Sequence, residues 1–267
     1  MNALSATIEG IGFWAGGIPS WQAACHYAVD GSLPDGAPAR PSPQLLAPNE
    51  RRRAPSTVAV ALDVGLQACR AAGREPCSMP SVFASMHGEL SITDYMCATL
   101  AVQPDAISPT RFHNSVHNAA AGYWTIGAGA VQAATAISAF DATFAQGLLE
   151  ALMQLHAGDE AVLLVCYDGD SAGPLEHVSR SEGVLGGGLV LSRLHRADRP
   201  RLLLSLVDGE CPSADTALAR YAARNASAPM LPLFDALATG GDSALLKAGP
   251  GRLLRVQLLG STGAANV

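Results

Sequence analysis

The stretch FHNSVHNAAAGYWTIGAGAVQAATAISAF, residues 112–140, contains no Asp, Glu, Lys or Arg. A membrane-spanning helix needs about 20 consecutive apolar residues, but Asn, Gln and several glycines interrupt this stretch. Its pattern instead predicts a helix over roughly residues 117–127, a break at glycines, and a strand over 131–138. Both elements are expected to be buried on more than one side, at the centre of a sheet or at a subunit interface.

Strand and helix patterns alternate on both sides of this stretch. Strands are predicted at 4–13, 81–86, 161–166, 188–194, 202–207 and 252–259, and helices at 19–29, 49–72, 90–101, 141–155 and 213–225. The chain has 267 residues, which is enough to bury a large core without disulfides or metals. The alternation therefore predicts one layered α/β domain over residues 1–267.

Composition limits the classes of partner and the compartment. With 17 basic against 23 acidic residues, the net charge is −6, and no basic stripe occurs. A nucleic acid is therefore not expected as the main partner. The six cysteines form no CxxC pair and no apolar leader precedes them. Reduced thiols, a cytoplasmic location and no membrane insertion are the predictions.

The segment Gly169-Asp170-Ser171-Ala172-Gly173 fits the GxSxG pattern of a nucleophile elbow. In that elbow a helix must follow the serine, but here Pro174 comes next. Only His177 and His195 follow as candidate bases. Ser171 is therefore a second-choice nucleophile, and a polar turn between two strands is the simpler interpretation.

His113 and His117 stand four residues apart, a spacing that can place two imidazoles on one helix face for a metal ion. A third ligand is not obvious in the sequence. No metal site is predicted, and hydrogen bonding at a helix entry, with Asn114 or Asn118 as the cap, is favoured over zinc. The role of the two histidines stays open.

The order of the elements resembles the N-terminal half of a β-ketoacyl synthase, a condensing enzyme of the thiolase fold. The matching stretches are residues 52–73, 108–129, 131–158, 159–168 and 183–191, and the resemblance covers roughly residues 4–210. The segments FHNSVHN (112–118) and FAQGLLEA (144–151) look like signatures of the short ketoacyl-synthase-like proteins of aryl-polyene and xanthomonadin-type clusters. The resemblance implies a thiolase-like, layered α/β/α half-fold with a mixed sheet.

The residues that the resemblance implies for catalysis are missing. A ketosynthase carries its acyl-accepting cysteine at an elbow before a helix, whose N-terminus lowers the thiol pKa. The family's spacing places that position at or near Asp141, and no cysteine occurs between Cys97 and Cys166. The family's two catalytic histidines lie in its C-terminal half, whereas the last histidine here is His195. No catalytic residue and no cofactor is predicted.

The resemblance therefore implies a role like that of a chain-length factor. Such a non-catalytic subunit pairs with an active ketosynthase, which extends a chain delivered by an acyl carrier protein, and helps shape the acyl tunnel. Candidates for the tunnel wall or interface are Phe112, Tyr123, Trp124 and Phe140, with ordinary core packing as the alternative. The rival functions are a catalytically active condensing enzyme, a serine esterase using Ser171, and a purely structural partner. Homodimer and heterodimer both stay open.

Overall fold

The computed structural model describes residues 4–212 and 215–260. Its strands are β1 (Leu4–Ala15), β2 (Ser81–Ala84), β3 (Ala134–Ile137), β4 (Ala161–Asp168), β5 (Leu185–Ser192), β6 (Arg201–Asp208), β7 (Ser243–Gly249) and β8 (Arg252–Leu259). Its α-helices are α1 (Trp21–Asp30), α2 (Pro48–Arg53), α3 (Ser56–Ala72), α4 (Leu90–Val102), α5 (Pro109–His113), α6 (Ala119–Ala128), α7 (Thr143–Ala157), α8 (Ala217–Tyr221) and α9 (Leu231–Thr239). Short 3₁₀ turns lie at Pro76–Ser78, Pro104–Ala106, Gly173–His177 and Ala228–Met230.

The eight strands form one mixed sheet in the order β3-β2-β4-β5-β1-β6-β8-β7. β2 pairs in parallel with both β3 and β4. The remaining neighbours are antiparallel, including β4 with β5 and β5 with β1. The three parallel strands therefore lie together at one end of the sheet, with β3 as its edge.

Helices cover both faces of the sheet, which confirms the predicted layered α/β/α arrangement. On one face, α3 and α6 pack against β2 and β4 around Trp124, Phe83 and Tyr167. On the other face, α1, α7 and α9 enclose a second core around Phe13, Leu148 and Phe234. Each strand of the centre contributes to both cores, because alternate side chains point to opposite faces.

Helix α3 lies unusually close to the two central strands because glycines lie beneath it. A Cβ atom added at Gly12 would lie 2.0 Å from the carbonyl oxygen of Val64, and one at Gly10 would lie 2.2 Å from that of Ala68. On the neighbouring strand β5, a Cβ at Gly188 would lie 2.6 Å from the same Val64 oxygen. The glycines of β1 and β5 therefore allow helix backbone to rest on strand backbone.

Most predicted elements are found within a few residues of their expected bounds, with three differences along the helices and strands. The helix predicted over 49–72 is two helices, α2 and α3, because Pro55 has no N–H and its ring clashes with the preceding turn. The residues between the helix predicted near 213–225 and the strand predicted at 252–259 contain α9 and β7, and residues 109–113 form α5; the prediction missed these three elements. The helix predicted near 213–225 is the five-residue α8, and residues 213–214 lie outside the described residues.

The uncharged stretch 112–140 divides into α6 and β3, as predicted, but β3 is not at the centre of the sheet. Its four side chains are exposed or half-buried within this chain. Nor does the stretch form one long apolar segment: among the residues the structure describes, no helix is long and apolar enough to cross a membrane.

Replacing Gly12 by alanine should destabilise the fold strongly. The new Cβ would overlap the Val64 carbonyl, and a helix backbone cannot yield as a flexible side chain does. We expect the free energy of unfolding, measured by urea denaturation, to fall by about 3 kcal/mol.

The matched control is Gly122→Ala in α6, where no described atom beyond its own helix backbone and chain neighbours lies within 4 Å of the added Cβ. Alanine is the better helix former, so this variant should gain about 0.5–1 kcal/mol. Equal stabilities for the two variants would contradict the close packing of α3 on β1.

Candidate functional site

The candidate site lies where the parallel strands β2, β3 and β4 end. In open α/β sheets, ligands bind outside the carboxyl ends of such strands. Here those ends lead into three short segments: residues 85–88 after β2, residues 138–143 after β3, and residues 169–171 after β4. Side chains from segments far apart in the sequence meet at this edge.

The turn between β3 and α7 has the geometry of a strained elbow. Phe140 has a φ of 49°, the left-handed region that non-glycine residues rarely adopt. Among the described residues it is the one non-glycine with positive φ. Such a conformation costs on the order of 1–2 kcal/mol, so surrounding contacts must hold it. The Phe140 side chain is 75% exposed and projects from the protein surface.

Hydrogen bonds from two hydroxyl groups hold the elbow. The Thr143 hydroxyl accepts from the backbone N–H of Ala139 at 2.9 Å and donates to the carbonyl of Phe140 at 2.5 Å. Ser138 Oγ donates to the carbonyl of Met86 at 3.0 Å and so ties the elbow to the segment after β2. Both hydroxyls therefore serve the shape of the turn.

Asp141, the predicted nucleophile position, lies directly after Phe140 and is partly exposed. Its carboxylate pairs with Lys247 Nζ of β7 at 2.5 Å. This hydrogen bond and the negative charge of Asp141 raise the pKa of Lys247, the single lysine of the chain. Asp141 thus links the elbow to the far edge of the sheet through an ion pair.

A buried carboxylate organises the segment after β2. Asp168, at the end of β4, is 1% exposed and accepts four hydrogen bonds. Oδ1 accepts from Ser85 Oγ (2.8 Å) and His87 N (3.1 Å), and Oδ2 accepts from Ser227 Oγ (2.7 Å) and Met86 N (3.1 Å). All four partners are donors, so the geometry suits an ionised carboxylate.

Two opposing effects act on the pKa of Asp168. Burial raises this pKa, because the charged form loses its hydration. The hydrogen bonds from Ser227, Met86, Ser85 and His87 favour the charged form and offset part of that rise. The nearby His87 ring responds in the opposite sense: burial lowers its pKa, and the charge of Asp168 raises it in part.

The two histidines of the metal hypothesis have separate roles. His117 Nε2 lies 2.8 Å from the carbonyl oxygen of Ser85 and so supports the segment after β2. His113 packs its ring against Tyr123, with centroids 6.0 Å apart. Within residues 4–212 and 215–260, no group of three His, Cys, Asp or Glu side chains could hold a metal ion.

Ser171 sits in a polar turn, and its hydroxyl is engaged by backbone. Ser171 Oγ accepts from the N–H of Ser181 at 2.9 Å and donates to the carbonyl of the same residue at 3.1 Å. In the described chain no histidine hydrogen-bonds to it. The hydroxyl joins two strand-end segments, which matches the polar-turn interpretation of GxSxG.

The four aromatic candidates occupy different environments. Trp124 is 1% exposed and packs on Phe83, with ring centroids 6.1 Å apart, so it belongs to the core of this chain. Tyr123 is half-buried beside His113. Phe112 and Phe140 are 59% and 75% exposed. Of the four, these two expose the largest fraction of their side chains to another molecule.

The sequence did not identify Asp168, His87 or Lys247 as residues of this site. One signal was available for Asp168: an acidic residue ends the otherwise apolar run AVLLVCYD of β4. A carboxylate in a buried strand must find donors, so such a position indicates a structured polar cluster.

The chain is similar to several known proteins. The family model for the beta-ketoacyl synthase N-terminal domain matches residues 21–249. No curated protein matches this sequence. A solved structure of the ketosynthase ApeO in complex with its chain length factor ApeC, from Xenorhabdus doucetiae, contains a chain 25% identical to this one. The TM-score is 0.74, and the alignment covers 95% of this chain and 99% of that chain.

Two further complexes share the fold at lower identity. A chain of the ishigamide ketosynthase/chain length factor is 15% identical, with a TM-score of 0.71 and coverage of 95% of this chain and 99% of that chain. A chain of AntDE:AntF, a type II polyketide synthase acyl-carrier protein in complex with its ketosynthase, is 12% identical. Its TM-score is 0.72, with coverage of 96% and 99%. These likenesses confirm the thiolase-like ketosynthase half-fold that the sequence resemblance implied.

Replacing Asp168 by asparagine should loosen the segment after β2. Whichever carboxylate oxygen becomes an amide nitrogen, two of the four donors lose their acceptor. We expect a loss of about 3 kcal/mol in the free energy of unfolding, and faster hydrogen exchange at the amides of Met86 and His87.

Asp105→Asn, at an exposed carboxylate, is the control and should change stability by less than about 0.5 kcal/mol. If Asp168→Asn left both the stability and the exchange of these amides unchanged, the organising role of Asp168 would be wrong.

Proposed function

This chain belongs to the beta-ketoacyl synthase N-terminal domain family, and we propose that it is a chain-length-factor-like subunit without condensing activity of its own. In this role it pairs with an active β-ketoacyl-ACP synthase in polyene or fatty-acid-like biosynthesis and helps shape the acyl tunnel. The observation that carries the proposal is the elbow before α7, where an aromatic residue stands in the strained position.

The chemistry of the elbow supports a subunit that does not condense. A ketosynthase needs a thiolate at this turn to accept the acyl chain. Here the left-handed residue is Phe140, which carries no nucleophile, one position before the predicted Asp141. The Asp141 carboxylate is paired with Lys247, and the Thr143 hydroxyl is used within the turn. An active partner would therefore have to supply the nucleophile.

The edge strand β3 offers a surface for that partner. The N–H of Ser81 donates to Ala133 O and that of Ser85 to Ile137 O. The backbone groups of Ala134 and Ala136 consequently point away from β2, since bonding alternates along a strand. In the described part of the chain, no strand pairs with this outer edge. Thiolase-type dimers join at the strand before the elbow, so we propose that β3 pairs with its counterpart in the partner.

Exposed apolar side chains around β3 support the same interface. Ile126 at the end of α6 is 79% exposed, Val131 before β3 is 95% exposed, and Phe140 after β3 is 75% exposed. Together with Phe112, they belong to the uncharged stretch 112–140. Apolar groups exposed in one region mark a surface that another protein covers.

The carrier protein is the second proposed partner. A cavity of about 570 Å³ is lined by two arginines, by one carboxylate and by several hydroxyl groups, including Arg53, Arg111, Glu89, Ser56, Ser108 and Thr110. Both arginines are exposed. Guanidinium and hydroxyl groups suit the phosphodiester of a phosphopantetheine arm. A related type II complex contains an acyl-carrier protein with its ketosynthase.

We also propose a cytoplasmic location for the pair. Cys77 and Cys97 are free and exposed thiols. Exposed thiols persist in a reducing compartment, whereas an oxidising one would favour disulfides.

The pairing is tested by co-expressing the full chain with a ketosynthase encoded beside it that has a complete Cys-His-His set. We expect a 1:1 heterodimer on size-exclusion chromatography, with condensing activity in the complex and none in this chain alone. Ala136→Lys should weaken the complex at least about 100-fold, because a charge on an edge strand blocks pairing.

Ala223→Lys, at an exposed position after α8, is the matched control and should leave the complex intact. Condensation of acyl-ACP substrates by the chain alone would overturn the non-condensing role. An unchanged affinity of the complex in Ala136→Lys would overturn pairing through β3.

The tunnel role is tested at Phe140 in the reconstituted complex. Phe140→Ala should lengthen the product by at least one two-carbon unit, and Phe140→Trp should shorten it, because the volume at the tunnel wall limits the chain. Product lengths are measured by mass spectrometry. Val29→Ala, at a side chain that is 72% exposed on α1, is the control and should not change them. Unaltered products from both Phe140 variants would favour the purely structural partner.

A further inference from the structure

A serine and a histidine outside the elbow lie in hydrogen-bond contact. Ser179 Oγ is 3.1 Å from His87 Nε2, and both residues are half-buried. They are 92 positions apart in the sequence, so tertiary structure alone brings them together. A hydroxyl within hydrogen-bond reach of an imidazole is the arrangement of a nucleophile and its general base.

Both partners are held in place by their backbones. The His87 N–H donates to Asp168 Oδ1, within the four-donor cluster described above. Ser179 follows the 3₁₀ turn Gly173–His177, and its N–H donates to the carbonyl of Leu175 at 2.9 Å. His87 is therefore tied to the end of β4, and Ser179 is held by the local turn within the connection between β4 and β5.

The surroundings suit a base rather than a permanent cation. Burial lowers the pKa of His87, so the ring is neutral near pH 7, and in its Nδ1–H tautomer Nε2 accepts the proton of Ser179. The charge of Asp168 acts in the other direction and stabilises the imidazolium once a proton has been taken. This is the role that a carboxylate has beside a catalytic histidine, although here the contact is to the backbone of His87.

Apolar groups next to the pair define the class of substrate. Met86 Sδ lies 3.7 Å from Ser179 Oγ, where it is a second acceptor for the Ser179 hydroxyl beside His87, and the neighbouring Val178 is 79% exposed. The carbonyl of Met86 in turn accepts from Ser138 of the elbow, so the pair and Phe140 belong to one region. An acyl chain lying on this apolar surface would bring its carbonyl carbon near Ser179.

We propose that Ser179 and His87 form a nucleophile–base pair that hydrolyses acyl thioesters. His87 Nε2 takes the hydroxyl proton as Ser179 Oγ bonds to the thioester carbonyl carbon. The C–S bond then breaks, and the thiolate leaves with the proton from His87. Water attacks the acyl-serine and gives a proton to His87, the C–Oγ bond breaks, and Ser179 recovers the proton. The net reaction converts thioester and water into carboxylic acid and thiol.

This activity goes beyond the proposed subunit role and stands independently of it. The test uses the purified full chain with medium-chain acyl thioesters and, separately, with a fluorophosphonate probe mapped by mass spectrometry. We expect thioester hydrolysis and covalent labelling at Ser179. Ser179→Ala should abolish the label at that position and lower the hydrolysis rate at least 100-fold. His87→Gln keeps Ser179 but should lower both the rate of thioester hydrolysis and the rate of probe labelling at Ser179 at least 100-fold.

Ser32→Ala, at an exposed serine outside the helices and strands, is the control for substitution and should keep the full rate. Circular dichroism and the urea midpoint establish that the variants are folded. A label at Ser171 or at another serine instead of Ser179 would overturn the assignment. So would absent hydrolysis in the parent chain, or a rate within twofold of the parent in folded Ser179→Ala. Each of these results would leave pairing with a ketosynthase unaffected.

Discussion

The packing of α3 directly on the backbone of β1 and β5 is the contact on which the other elements depend. Glycines on both strands remove the side chains that would keep the helix away. On its other side, α3 receives Trp124 of α6 at Gly65, where an added Cβ would lie 3.0 Å from the indole. Helix α6 in turn packs against β2 and β3, and the hydrogen bonds between those two strands place β3 at the sheet edge, directly before the elbow.

The functional edge follows from strand direction. β2, β3 and β4 are parallel, so the segments that leave them meet on one side of the sheet. Asp168 fixes the position of the segment after β2 relative to β4, because its carboxylate accepts hydrogen bonds from two backbone amides and two hydroxyls at once. A buried charge with every lone pair engaged is costly to disturb and holds its donors firmly. His87 and Met86 consequently lie at fixed places beside the elbow.

Much of the architecture was predictable because its signals are local. Apolar periodicity, prolines and glycines located most of the strands and helices, including β8 with its bounds unchanged. The elements that were missed have weak local signals. Leu231–Thr239 begins among prolines, and α2, which the prediction joined to α3 in one helix, is separated from α3 only by the break at Pro55. The position of β3 at the edge could not be read from its composition, because an uncharged strand fits the sheet centre and a covered interface equally well.

The candidate site also has features that could be predicted from the sequence and features that only the folded structure shows. The sequence by itself determined that no cysteine occurs between Cys97 and Cys166, because residue identity is a linear property of the chain, whereas an elbow at or near Asp141 was implied only by the resemblance to ketosynthases. Tertiary structure alone decided that Phe140 rather than Asp141 takes the left-handed conformation, that Lys247 pairs with Asp141, and that Ser179 contacts His87. These contacts join residues on separate strands and loops, and only the folded sheet brings such residues within hydrogen-bond distance.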